Sequence, residues 1–382
     1  MEKLLGNLVL ADEVCYGELT IAGETIESIT RLDEFRSDQS LILPGFIDLH
    51  FHGLGPFGTE NLQSLQGIAE FAPRTGTTGV CPTLSADTWE NLLAFAKNGA
   101  LLTRSKLHGA HFFGTHLEGP YIAPEAKGGM NERFLRAASL SELEKLLAAA
   151  EGTLRVITIS PEIPGAFDLI RLASSSGVQV SIGHTRCSPA LFAEAVSAGA
   201  RQVCHLFDTF EGRQVRNGVS LVSLTDAILI DDRVFVEIIV DGHHVPAALI
   251  ELAKRCAGVD RIIAISDCMQ GTGLPDAVYK ESDGREFRLT NGDVCRLTDG
   301  SRAIVGSCLT MDEAFRNLTR KFSFSIPEAS RVLSANAAKA LKLEARTGQL
   351  KVGLQADIVI LAAATHQVEA CLVAGKCVFE NK

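Results

Sequence analysis

Eight short apolar runs, separated by stretches with helical spacing, constrain this chain more than any other feature. The runs are PGFIDLH, TTGVCPTL, HFFGTHLEG, RVITISPE, VQVSIGHT, RQVCHLF, VFVEIIVDG and IIAISD, and most of them carry a polar residue at or near their C-terminal end. Between them lie segments such as SLSELEKLLAAAEG and SPALFAEAVSAGA, whose apolar positions suit amphipathic helices. Eight strand and helix alternations predict an α/β chain built as a (β/α)8 TIM-like barrel over residues 45–342. The two ends read differently. GELTIAGETIESIT near the start, and GQLKVGLQADIVIL and EACLVAGKCVFE near the end, alternate strand formers with glycine turns. Residues 1–44 and 343–382 are therefore expected to meet in one small β-sandwich domain. The stretch from Gly273 to Arg302 breaks the barrel period and reads as hairpins inserted after the eighth strand.

Composition narrows the class of partner. Lys and Arg number 36 against 46 Asp and Glu, a formal charge of -10 that lacks the basic footprint of a nucleic-acid binder. No apolar run approaches the ~20 residues of a membrane span, and MEKLLGNLVLADE lacks the features of a signal peptide, so a cytoplasmic chain is expected. Ten cysteines are scattered without a CxxC pair. They read as reduced, small, buried apolar residues.

The polar residues at the strand ends carry the chemistry. His50, His52, Glu118, His184, His205, His244 and Asp267 all fall at or just beyond the C-terminal ends of predicted strands, which in a barrel is the catalytic face. His50 and His52 are spaced i, i+2, which turns both imidazoles to one side of an extended chain. Each histidine alone could be a satisfied core residue, and Glu118 alone could cap a loop. Four histidines and a carboxylate converging on one mouth instead form a ligand set suited to Zn²⁺, Fe²⁺ or a similar divalent ion, with Asp267 adding a second carboxylate. His108, His111 and His366 read as solvated, His116 as core or as support beneath the site, and His243 as pointing away from His244. Cys204 and Cys268 read only as neighbours of candidate ligands.

These residues resemble the amidohydrolase superfamily and, within it, the N-acetylglucosamine-6-phosphate deacetylase family. The matching stretches are PGFIDLHFHG, GTTGVCPTL, HLEGPYIAPEAKGG, VSIGHT, CHLF, DGHHV, ISD, GSCLTMDEA and the tail GQLKVGLQADIVIL. HLEGP followed by KGG is the part most specific to this branch. The resemblance implies a metal-dependent hydrolase that releases acetate from an N-acetylated amino sugar, most simply N-acetylglucosamine 6-phosphate, and that works as a homodimer. It places Glu118, His184 and His205 in the metal site common to the branch, and His50 and His52 at a second metal position, so that one or two ions bind per subunit. Asp267 matches the catalytic aspartate, which takes the proton of the attacking water and returns it to the departing amine. His244 matches a substrate-contacting histidine, and Ile304, Val305 and Gly306 a substrate-lining segment.

The departures from the family pattern bear on the substrate. Met130 follows Gly129 where the family has a histidine, and a thioether cannot donate that hydrogen bond. HLYNAM of the family becomes HLFDTF, so Asp208, beside Thr209, brings a negative charge towards the place of a phosphate. Arg213 and Arg216 fall where a phosphate-gripping arginine is expected, or else are solvated or paired with Asp208 or Glu211. Two alternatives follow: a deacetylase of an unphosphorylated or different N-acyl compound, and a non-catalytic barrel that would have lost its ligands.

Overall fold

The computed structural model describes residues 2–210, 212 and 215–381. In it the eight apolar runs are parallel barrel strands, because residues such as Val156, Ile157 and Ile159 are shut off from water on both faces of the sheet. The strands are Phe46–Asp48, Thr77–Val80 continued as Thr83–Ser85, His111–Phe112 continued as Thr115–Glu118, Leu154–Ile159, Gln179–Ile182, Gln202–Val203, Phe235–Ile239 and Ile262–Ile265. Neighbours in this order pair in parallel. The second strand breaks at Pro82, which has no N–H to give the ladder, while its carbonyl still accepts the His116 amide at 3.0 Å. The eighth strand returns to the first where the Asp267 amide donates to the His50 carbonyl at 2.9 Å and the Ser266 hydroxyl donates to Asp48 Oδ2 at 2.5 Å.

The intervening segments form helices with ordinary start signals. Leu140–Ala150 begins at Ser139, whose hydroxyl accepts the Glu142 amide, and it buries Leu143, Leu146 and Ala150 at helical spacing. Pro189–Ala198 begins at Ser188 with a proline in its first turn. Among the described residues no helix is long and apolar enough to cross a membrane.

Strands from both chain ends form one seven-stranded sheet, in the order Lys376–Glu380, Val368–Val373, Ile358–Leu361, Leu41–Pro44, Glu2–Val9, Val14–Ala22, Thr25–Glu34. It wraps a core of its own that includes Leu8, Leu19, Ile26, Ile358 and Leu372. Asp357 ties this sheet to the barrel: its carbonyl accepts the Gly45 amide at 2.9 Å, and its carboxylate meets His111 Nε2 at 3.0 Å and the Thr347 hydroxyl at 2.7 Å. His111 is thus not a solvated residue, because burial of Asp357 demands a partner. His366 is also partly enclosed, its ring 5.4 Å from that of Phe315, whereas His108 is exposed as expected.

The inserted hairpins form a four-stranded antiparallel sheet of Ala277–Lys280, Glu286–Leu289, Val294–Leu297 and Ile304–Ser307. Phe287, Leu289, Cys295 and Leu297 give it a small core. It is fixed across the barrel mouth. The Ser307 amide donates to the Asp267 carbonyl at 2.8 Å, and a Cβ at Gly306 would stand 2.7 Å from that same oxygen, so only glycine fits there.

Candidate active site

The strand ends deliver their side chains to one point. Glu118 Oε1 lies 2.9 Å from His184 Nε2, 3.0 Å from His205 Nε2 and 3.4 Å from His50 Nε2, and the His184 and His205 nitrogens are 3.1 Å apart. Glu118 Oε2 lies 3.5 Å from His52 Nε2 and accepts the Ser85 hydroxyl at 3.1 Å. Asp267 Oδ1 completes the group, 3.2 Å from His52 Nε2 and 3.6 Å from His50 Nε2. Glu118, His184, His205, His50 and Asp267 are buried, and His52 nearly so.

Backbone conformation aims these groups. His184 and Asp267 hold φ values of 47° and 51°, in the left-handed region that non-glycine residues enter at a cost of about 1–3 kcal/mol. The His184 ring is fixed by its Nδ1–H donating to the Ala126 carbonyl at 2.9 Å. That carbonyl belongs to the loop carrying Gly128 and Gly129. A Cβ at Gly129 would be 2.5 Å from the Ile304 carbonyl oxygen, and one at Gly128 would be 3.3 Å from the His184 ring. Gly129→Ala is therefore expected to push the loop off the 304–306 strand and raise KM at least tenfold, read from steady-state kinetics.

The electrostatics suit a cation. Burial pushes the Glu118 carboxyl up, but His184 and His50 outweigh it and hold it well below the usual carboxylate range. Asp267 is likewise raised by burial and lowered further by His52 and His50. His50 Nε2, though buried and within 3.4 Å of Glu118, makes no hydrogen bond, and His205 Nδ1 makes none either. Donors around a tetrahedral zinc ion stand roughly 3.3–3.6 Å apart. The separations of His50 and His52 from Glu118, 3.4 and 3.5 Å, match those edges, while those among Glu118, His184 and His205, 2.9 to 3.1 Å, are a few tenths of an ångström shorter. The donor set therefore fits a divalent ion.

Above these residues opens a cleft of about 420 Å³. Gly129, Met130, Asp208, Thr209, His244, Ile304, Val305 and Gly306 all line it, so the structure brings these expected substrate residues together. Asp208 Oδ2 lies 3.8 Å from His205 Nδ1. His244 Nδ1 meets Asp241 Oδ2 at 2.6 Å, which leaves its buried Nε2 without a partner. Burial lowers the His244 pKa, but Asp241 overrides it and raises it. Arg213 lies outside the described residues, and Arg216 is placed only by its backbone, in the strand Val215–Arg216.

Residues 41–378 match the Amidohydrolase family, a span that includes every strand of the barrel. The chain belongs to the amidohydrolase family. Among amidohydrolases it is 32% identical over 333 residues to the N-acetylgalactosamine-6-phosphate deacetylase of Escherichia coli O157:H7, covering 86% of this chain and 85% of that one. It is 30% identical over 331 residues to the N-acetylglucosamine-6-phosphate deacetylase of Bacillus subtilis (strain 168), covering 85% and 81%. The crystal structure of N-acetyl-D-glucosamine-6-phosphate deacetylase from Mycobacterium smegmatis superposes with a TM-score of 0.90 at 28% identity, over 99% of this chain and 100% of that one. The family expected from HLEGP and its companion motifs thus holds, and with it the TIM-like barrel.

Two residues of this amidohydrolase site were not singled out from sequence. Glu237, fully buried, faces His50 Nδ1 at 3.1 Å and accepts the His205 amide at 3.3 Å through Oε2, while Oε1 accepts Gln202 Nε2 at 2.5 Å. Its signal was legible as the one charge within the strand FVEII. The second is Cys204, expected as packing but set among the donors. His116 is a satisfied core residue instead, with Nδ1 3.2 Å from the Thr83 hydroxyl and Nε2 2.8 Å from the Thr158 hydroxyl. His116→Ala is expected to cost about 2 kcal/mol in urea unfolding, from the hydrogen bonds lost by the buried Thr83 and Thr158 hydroxyls and the space left by the ring, and to leave the ion content unchanged by elemental analysis.

Proposed function

We propose that this amidohydrolase is a metal-dependent deacetylase of N-acetylated amino sugars, with N-acetylglucosamine 6-phosphate as its first candidate substrate. The observation that carries the reading is the closure of five donors, Glu118, His50, His52, His184 and His205, around Asp267 at the base of one cleft. Those five would hold one or two divalent ions, Zn²⁺ or Fe²⁺. Such an ion supplies Lewis acidity, polarising the acetyl carbonyl and making water a stronger acid. Asp267, held as a carboxylate, takes the proton of the attacking water and delivers it to the departing amine. His244 presents its unpartnered Nε2 to a sugar oxygen, and Gly128 and Gly129 let their loop close on the His184 ring and on Ile304 beside the cleft. Residues 45–342 would form the hydrolase domain, with 1–44 and 343–382 as the end domain. A cytoplasmic homodimer is part of the same reading.

A second reading, an unphosphorylated acetamido sugar, draws on Asp208, whose carboxylate lines the cleft, and on Arg285, already occupied by Asp283 at 2.6 Å and the Gly129 carbonyl at 2.8 Å. Acetate release from N-acetylglucosamine 6-phosphate, N-acetylglucosamine and the two galactosamine counterparts decides between them. Asp208→Asn is expected to raise the kcat/KM ratio of phosphorylated over plain sugar about tenfold, by removing one repulsive charge. A fall in that ratio would make Asp208 a recognition group. No acetate from any of the four would sink the deacetylase reading.

A further inference from the structure

Cys204 occupies a place that packing does not account for. It follows the strand Gln202–Val203, immediately before His205, and its side chain is fully buried beneath the mouth. Its Sγ lies 3.6 Å from Glu118 Oε1 and 3.7 Å from His50 Nδ1. With His50, Glu118 and His205 it forms a group of four buried donors whose atoms all lie within 4.8 Å of one another. The Gly183 backbone packs closely against this residue: a Cβ on it would be 2.4 Å from the Cys204 Cβ and 3.2 Å from its Sγ. A sulfur and an oxygen on one tetrahedral zinc ion stand about 3.5 Å apart, given metal distances of about 2.3 and 2.0 Å. The Sγ to Oε1 separation matches that edge. Sγ approaches His50 from its Nδ1 side, while the buried Nε2 of the same ring, 3.4 Å from Glu118 Oε1, has no hydrogen bond and awaits an electron-pair acceptor on the Glu118 side of the group.

We infer that Cys204 is a ligand of the ion held by Glu118 and His205, so that this centre is a mixed thiolate, imidazole and carboxylate site. The inference rests on the reading of the mouth as a divalent-ion centre. On binding, the S–H bond breaks, the sulfur lone pair forms the bond to the metal, and the proton leaves to solvent. A thiolate makes the site prefer Zn²⁺, Co²⁺ or Cd²⁺ over Mg²⁺ and Mn²⁺, which favour all-oxygen shells. It also gives oxidants a target at the heart of the site.

The test uses the full-length protein stripped by a chelator and refilled with Co²⁺ alone. Wild type is expected to gain a near-ultraviolet thiolate-to-cobalt charge-transfer band and a sulfur scatterer in X-ray absorption. Cys204→Ser and Cys204→Ala are expected to lose both and to bind Zn²⁺ at least about tenfold more weakly in chelator competition. Cys268→Ser should keep the band, because that thiol donates to the Gly53 carbonyl at 3.0 Å. Tightly bound cobalt without a sulfur scatterer in the wild type, a measurement independent of how any variant folds, would overturn the assignment. A band that survives in Cys204→Ser would overturn it as well. Failure of the wild type to retain any divalent ion would sink the centre itself, and the proposed function with it.

Discussion

Asp267→Asn is expected to keep its full complement of bound ion and to release acetate about 10³-fold more slowly than wild type. Asparagine preserves the Oδ1 that faces His52 and His50, so the cage around Glu118 has no reason to open. What disappears is the basic oxygen, and an amide cannot carry a proton from water to a leaving amine. A 10³-fold loss corresponds to about 4 kcal/mol of transition-state stabilisation, a normal share for one positioned base. KM should change little, since the cleft lining at Gly129, His244 and Ile304 to Gly306 is untouched. Turnover within tenfold of wild type, with the ion in place, would remove Asp267 from proton transfer. Loss of the ion together with activity would make it a ligand first.

The second large effect is expected at a residue that never touches substrate. Glu237→Ala should weaken divalent-ion binding by about 10–100-fold and destabilise the fold by about 3 kcal/mol. The carboxylate holds the His50 Nδ1, the His205 amide and the Gln202 side chain in a space closed to water. Removing it orphans donors and frees the His50 ring to turn its Nε2 away from Glu118. Glu237→Gln, which keeps an acceptor oxygen of the same size, should recover most of the stability and only part of the affinity. Chelator competition and urea unfolding separate the two losses. Unchanged ion affinity in Glu237→Ala would reduce the residue to a packing element.

How far the chain could be read in advance follows from the range of each signal. The barrel strands were legible because burial on both faces leaves an unbroken apolar run, and His184, His205 and Asp267 stood out because a polar group ending such a run needs a reason. Glu237 carried the same kind of signal but sat in the middle of its strand, where it read as part of the run. Cys204 was opaque because a thiol is an apolar filler and a metal donor at once, and only its neighbours decide which. His111 could not be placed at all: its partner Asp357 lies 246 residues away and meets it only when the end sheet docks. The hairpins were seen as an interruption, but their seat over the mouth depends on contacts such as that of Ser307 with the Asp267 carbonyl.

The left-handed backbone at His184 and Asp267 sets a limit on how this protein can be improved. A selection that scores only survival of heat would relax those positions, since glycine adopts such angles freely and histidine and aspartate do not. Its winners would gain robustness at the residues proposed to hold the ion and to carry the proton. Engineering towards thermal tolerance should therefore leave these turns alone and seek its gains in the end sheet and outer helices, where local comfort and catalysis do not compete.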